Sequence, residues 1–312
     1  MRMDVERPRC ARDPLVDAIA LFLARDHAQG LGEIRIMLEQ AIDEAGPGAV
    51  DRLGSRLASA GADWDYTPSD PLARRIHRVL ASRVLQHEPV VTGLGHLESV
   101  RGKPLVIFAN HLSYSDANAI DVLLQRSGGA ELADRLTVVA GPKVYSNLRR
   151  RFSSLCFGTI KVPQTSARSS DEAVMTPREV ALAARRSIDV AHERLRLGEA
   201  LLVFPEGTRS RTGQMQRLLS GAARYLEMPD TWVLPMGLVG TERLFPMSED
   251  SINPVRIILT IGRPLPARLL DERAKGDRQL VMDDIGRAIA ALLPPEYRGA
   301  YGDARETDSG SV

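Results

Sequence analysis

Cysteine is scarce: Cys10 and Cys156 are the two in 312 residues. Thiols so far apart fit neither a disulfide framework nor the paired spacing of a metal site, and they suit a reducing compartment. An excess of one charge is missing as well. The formal net charge is +1, so no global surplus recruits nucleic acid, and an anionic partner must be met by a local cluster. No apolar run approaches the roughly 18 residues needed to cross a bilayer, so work on a lipid would be done from the membrane surface. Asp4, Glu6, Asp13 and Asp17 interrupt the first thirty residues, which runs against a secretory signal and gives the expectation of a cytoplasmic protein. No Gly-x-Ser-x-Gly elbow marks a serine as a covalent nucleophile. No internal repeat is visible.

What is present divides the chain into three. Helical signals fill residues 1–88. Asp13-Pro14 opens "LVDAIALFLAR", "GEIRIMLEQAIDEAG" stops at Gly46-Pro47, "AVDRLGSRLASAG" is shorter, and Asp70-Pro71 opens "PLARRIHRVLASRVLQH". This front predicts a small helical bundle. Its histidines, His27, His77 and His87, lie on polar or mixed faces, where surface or hydrogen-bonded roles suit them better than metal ligation. From Pro89 the texture changes to short Val- and Ile-rich runs: "PVVTGL", "PLVIFAN", "LTVVAG", "GTIKV", "ALLVFPEGT", "TWVLPMGLVG" and "VRIILTIG". They alternate with helical stretches such as "NAIDVLLQR", "REVALAARRSIDVAHERLRLG" and "VMDDIGRAIAALL". Residues 89–300 therefore predict an α/β domain with a mostly parallel central sheet covered by helices. Residues 301–312 are polar and predict a disordered tail.

Within "FANHLSYSDAN", residues 108–118, His111 and Asp116 stand five positions apart. On one continuous helix, five steps of about 100° would hold their side chains well apart. They meet only if the chain bends, and a strand over 104–109, a turn at Asn110-His111 and a helix starting near Ser113 supply that bend. His111 then sits at the carboxyl end of a strand, where open α/β sheets place their ligands. A carboxylate on one ring nitrogen fixes the tautomer and leaves the other nitrogen to take a proton from an alcohol. Ser113-x-x-Asp116 also reads as a capping box, which requires no chemistry, and the stretch alone leaves both readings open.

The second motif is "VFPEGTRSR", residues 203–211. Gly207 lets backbone approach a ligand, Thr208 and Ser210 bring hydroxyls, and Arg209 and Arg211 bring forked donors suited to phosphate. A strand-end turn with surface arginines has the same composition. About ninety residues separate the two motifs. In this order, "NHLSYSD" followed by "FPEGTRSR" resembles the glycerophospholipid acyltransferase family, which includes glycerol-3-phosphate and 1-acylglycerol-3-phosphate (lysophosphatidic acid) acyltransferases. "VTGLGHLESVRGKPLVIFANH" and "VLPMGLVGTE" extend the resemblance over about residues 89–265.

The resemblance implies transfer of a fatty acyl group from a thioester to a hydroxyl of a phosphorylated glycerol, in phospholipid biosynthesis. In it His111 is the general base and Asp116 orients it. Glu206, Gly207, Thr208 and Arg209 bind the acceptor, Lys143 opens a further basic motif, and Pro235 belongs to the acyl-side pocket. That basic motif normally closes on an arginine, where this chain has Gln164; Lys161 or Arg168 is the expected substitute. The run Arg149-Arg150-Arg151-Phe152 suits either a solvated helix end or contact with membrane phosphates. Acyl-CoA or acyl carrier protein is the implied donor, with no metal and no cofactor. The membrane's inner face is the expected place of work. Acylation of a non-glycerol alcohol and a non-catalytic lipid-surface module are the alternatives. The polar helical front resembles the soluble plastid-type branch, whereas "EGTRSR" is closer to the lysophosphatidic acid branch, so the acceptor stays open.

Overall fold

The computed structural model describes residues 31–84, 90–163, 175–244 and 255–302. The helix expected at "LVDAIALFLAR", together with Cys10, His27, His87, Gln164 and Arg168, lies outside the described residues.

Three front helices follow from apolar spacing and local caps: α1 (Leu31–Ala45), α2 (Ala49–Ser59) and α3 (Pro71–Val84). In α1, Ile34, Leu38, Ala41 and Ile42 recur at helical spacing and are buried. Asp70 caps α3 by accepting from the N–H groups of Leu72 and Ala73, both at 3.0 Å. Pro71 at the first helical position has no N–H to leave unsatisfied.

Among the described residues nine short strands form one sheet: β1 (Tyr66–Thr67), β2 (Val90–Thr92), β3 (Leu105–Ala109), β4 (Leu136–Ala140), β5 (Gly158–Lys161), β6 (Ala200–Val203), β7 (Trp232–Val239), β8 (Ile258–Ile261) and β9 (Leu265–Pro266). The order is β1-β5-β4-β6-β3-β7-β8-β2, with β9 beside β7. The central five, β5-β4-β6-β3-β7, are parallel neighbours. β1 pairs antiparallel with β5, and β8 and β9 pair antiparallel with β7, so the sheet is mixed rather than uniformly parallel. The seven expected strands are present, while β1 and β9, two residues each, are too short to show a period.

Every residue of β3 is buried because helices cover both faces. Leu105, Ile107 and Ala109 share a core with the front helices and with α4 (Asp116–Arg126); Val106 and Phe108 face the second core. After α5 (Ala130–Asp134) and α6 (Leu148–Leu155), that second core is covered by α7 (Pro177–Arg196). Beyond the four-residue α8 (Thr241–Leu244) and α9 (Ala267–Ala274), α10 (Arg278–Ala290) completes it. Tyr301 also belongs to this core and accepts from the Leu218 N–H at 3.0 Å.

A buried ionic knot joins front helices to sheet domain. Asp121 on α4 is fully buried and faces Arg74 Nη2 at 3.1 Å and His77 Nε2 at 3.3 Å, both on α3. Burial alone would raise the Asp121 carboxyl, but contact with His77 and the charges of Arg74 and Arg78 outweigh it and hold the group below its ordinary value. His77 is thus a core histidine held by a carboxylate.

Candidate active site

The site is built by two adjacent parallel strands. β3 and β6 pair with Phe108 opposite Val203, so Asn110-His111 and Phe204-Pro205-Glu206 leave the sheet side by side at its carboxyl edge. Ninety-five positions of sequence separation disappear in this register: the His111 N–H donates to Glu206 Oε1 at 2.8 Å. The Ser210 N–H returns a bond to the His111 carbonyl, also at 2.8 Å. The exit of β3 is locked on its other side by Asn110, whose side chain donates to the Leu238 carbonyl at 2.9 Å and accepts from the Leu238 N–H at 2.8 Å.

His111 and Asp116 meet as the bend requires. Nδ1 of His111 lies 2.8 Å from Asp116 Oδ2, and Asp116 is fully buried while the imidazole is partly exposed. The carboxylate also accepts from the N–H groups of Leu112 (2.7 Å) and Ser113 (2.9 and 3.0 Å) and from the Thr241 hydroxyl (2.6 Å). Donors thus surround both oxygens, an arrangement that suits a carboxylate. With Nδ1 turned to Asp116, Nε2 is the ring nitrogen left facing away from it. Phe204 stacks on the imidazole with centroids 4.3 Å apart and fixes its plane.

The capping reading is half realised in the same atoms. α4 begins at Asp116, with Ser115 at its N-cap and no side-chain cap bond there. The Ser113 N–H donates to Asp116, but the Ser113 hydroxyl accepts from the Ser115 N–H at 3.2 Å instead of closing a box. Asp116 both organises the turn and holds the histidine.

The remaining expected residues divide. Gly207 turns the chain at φ +70°, a conformation that penalises any side chain. Thr208 is exposed beyond it, and Arg209 stacks over Tyr114, Cζ 3.7 Å from the ring centroid. Glu206 points inward: it is 1% exposed, and its second oxygen accepts from the Gln216 N–H at 2.8 Å. Burial pushes its carboxyl above the ordinary range, even though both backbone bonds and the neighbouring imidazole pull the other way. This carboxylate staples the two motifs together and is not aimed outward at an acceptor. Lys143 is half-buried in the turn Pro142–Tyr145. Lys161 is seated against Trp64, Nζ 4.3 Å from the ring, with a bond to the Gly61 carbonyl; burial lowers its pKa. That seat holds the front of the chain against β5. Pro235 is buried in β7, where pairing passes from β9 at Val233 to β8 at Met236, a gap that tolerates a residue without an N–H.

Three contributors carry no advance signal of their own, Asn110, Thr241 and Tyr114, while Arg150, marked in the sequence only as part of a basic run, has its Cζ 4.0 Å from the Tyr114 ring. Nothing in "VGTE", residues 239–242, announces that Thr241 reaches Asp116. Among the described residues no group of three or more His, Cys, Asp or Glu side chains forms a metal site, and no helix is long and apolar enough to cross a membrane.

At the carboxyl edge of an α/β sheet the chain thus sets a carboxylate-held imidazole beside an arginine-bearing turn. Residues 88–239 match the family model described as Acyltransferase. A 1-acyl-sn-glycerol-3-phosphate acyltransferase of Chlamydomonas reinhardtii is 33% identical over 104 residues, 33% of this chain and 29% of that relative, so the match spans under a third of the relative's length. The crystal structure of the 1-acyl-sn-glycerophosphate (LPA) acyltransferase PlsC from Thermotoga maritima is similar over 90% of this chain and 97% of that one, at 18% identity and a TM-score of 0.45.

Proposed function

We propose that the protein is an O-acyltransferase that moves a fatty acyl group from acyl-CoA or acyl carrier protein to a hydroxyl of a phosphorylated glycerol. The acceptor is 1-acylglycerol-3-phosphate or glycerol-3-phosphate, and the product feeds phospholipid synthesis. The work is done at the cytoplasmic face of a membrane, from its surface. One observation carries the reading: a partly exposed imidazole held by a buried carboxylate at 2.8 Å, on the strand next to the one that ends in the arginine-bearing turn.

In this mechanism Nε2 of His111 accepts the proton of the acceptor hydroxyl as its oxygen attacks the thioester carbonyl. Asp116 faces the imidazolium that forms and stabilises it. The tetrahedral intermediate collapses with cleavage of the C–S bond, and the imidazolium returns its proton to the departing thiolate. A positioned base of this kind is worth about 10²–10⁴ in rate. Thr241 and the N–H groups of Leu112 and Ser113 hold Asp116, and Glu206 holds the backbone of His111.

An acceptor panel tests the proposal. Glycerol-3-phosphate, lysophosphatidic acid and unphosphorylated alcohols are each offered with acyl-CoA and with acyl carrier protein thioester. Transfer to a phosphorylated glycerol, abolished in His111→Ala with the circular dichroism spectrum intact, is expected. Near-wild-type turnover by that variant removes His111 from the mechanism, and binding to liposomes without product favours a lipid-surface module.

A further inference from the structure

The chain beyond α10 comes back to the site. Its two short turns, Pro295–Tyr297 and Gly299–Tyr301, lie against the stretch that follows the arginine-bearing motif. The Tyr297 carbonyl accepts from the Met215 N–H, and the Ala300 N–H donates to the Met215 carbonyl, both at 2.9 Å. Gly299 permits that approach: at φ +48°, a Cβ on it would stand 2.2 Å from the Met215 carbonyl oxygen. The Tyr297 hydroxyl reaches the other way and donates to Glu242 Oε1 at 2.6 Å. Burial, with the Glu242 carboxylate beside it, pushes the hydroxyl pKa up to about 12, so at neutral pH it stays a donor.

Each of these contacts stands one step from an anchor of the imidazole. Next to Met215 is Gln216, whose N–H donates to Glu206 Oε2 at 2.8 Å, and Glu206 Oε1 accepts from the His111 N–H. Glu242 Oε2 accepts from the Gly240 N–H at 3.1 Å. Its carboxylate therefore brackets Thr241, whose hydroxyl holds Asp116 at 2.6 Å. We propose that Tyr297 is a positioning residue for the His111 base, tying down both the Glu206 arm and the Thr241–Asp116 arm; this rests on the reading of His111 as the base of acyl transfer. Tyr297 acts through Met215 and Glu242, not on the reacting atoms. A base loses rate steeply when it swings off line, a displacement of about 1 Å costing up to about 10²-fold. One residue bonded to both arms limits that swing.

The test measures kcat and acceptor KM for transfer from acyl-CoA to lysophosphatidic acid in four full-length proteins: wild type, Tyr297→Phe, Thr241→Val and the double variant. Tyr297→Phe keeps the ring and the backbone bond to Met215 and removes the donor to Glu242. Its kcat falls about 3- to 10-fold, the scale of one hydrogen bond, while acceptor KM stays within about 2-fold. In the Thr241→Val background the same substitution lowers kcat less than about 2-fold, because the arm it acts through is already cut. A tyrosine that only stabilises the fold gives the same loss in both backgrounds. Unchanged kcat in Tyr297→Phe, a loss confined to KM, or losses that multiply in full in the double variant overturn the proposal. If the wild type acylates neither lysophosphatidic acid nor glycerol-3-phosphate, the functional reading fails by itself. Positioning is then decided by NMR, from the imidazole proton–nitrogen correlations that His111→Ala removes. Their displacement by Tyr297→Phe, with no further displacement when it is added to Thr241→Val, supports the proposal; correlations left in place by Tyr297→Phe sink it.

Discussion

Replacing Asp116 by asparagine keeps the shape of the side chain while removing its charge and one acceptor. Oδ2 accepts from His111 Nδ1, the Leu112 N–H and the Ser113 N–H, whereas Oδ1 accepts from the Thr241 hydroxyl and the Ser113 N–H. An asparagine that puts its oxygen at the Oδ2 position keeps the contacts of that oxygen to His111, Leu112 and Ser113. Its NH₂ then meets Thr241, whose hydroxyl can rotate to accept. The imidazole keeps its tautomer and the turn survives. The expected loss of stability is about 1–3 kcal/mol, the cost of a weakened buried hydrogen bond, read as a fall in Tm of about 2–10 °C. What disappears is the negative charge facing the imidazolium. Two unit charges about 4 Å apart interact by about 4 kcal/mol in a medium of intermediate polarity, so the barrier rises by about 3–5 kcal/mol and kcat falls about 10²- to 10⁴-fold. KM for the acceptor changes less than about 3-fold, because the phosphate contacts are untouched. Release of free thiol from acyl-CoA at saturating acceptor measures the rate. A variant that folds and turns over within about 5-fold of wild type would show that Asp116 only organises the helix start.

Other outcomes follow from the same contacts. Thr241→Val removes one donor from the buried Asp116 and is expected to cut kcat about 5- to 20-fold in the same assay and to cost about 1–3 kcal/mol of stability, read in urea denaturation. Glu206→Gln leaves one of two backbone N–H groups facing an NH₂ and costs about 1–3 kcal/mol in urea denaturation. Because burial raises the Glu206 carboxyl above its ordinary value of 4.5, the folded chain holds more protons than the unfolded one between that value and the raised one. Wild-type stability therefore falls as pH rises through this window, and the slope is lost in Glu206→Gln; an unchanged slope would refute the assignment. Asp121→Ala strands Arg74 in the interior and is expected to cost about 3–5 kcal/mol by urea denaturation. The wild-type contribution of Asp121 is present above the ordinary carboxylate range and is lost as pH falls through its lowered folded value.

Local order was legible because it is written in neighbouring residues. The run Leu105–Ala109 reads as a doubly covered strand, Asp70-Pro71 starts a helix through its own carboxylate, and a bend at Asn110-His111 follows from the change of period. From that bend the meeting of His111 with Asp116 follows too, since five residues of chain hold them close. A family resemblance was also legible, since its motifs are contiguous strings. Which groups face the solvent at the site was not. Glu206 looked like an acceptor ligand until the register of Phe108 against Val203 turned its carboxylate onto the His111 backbone. Lys161 looked available for phosphate until Trp64, from the front of the chain, took its ammonium.

Periodicity, caps and turns act over a few residues, and their energies are set before the chain collapses, so strands, helices and the histidine–carboxylate pair could be read directly from residue order. Strand pairing, and with it the approach of residue 206 to 111 and of residues 150 and 209 to 114, depends on which distant segments bury each other's apolar faces. That choice is a sum over the whole core, and no short stretch of residues contains it.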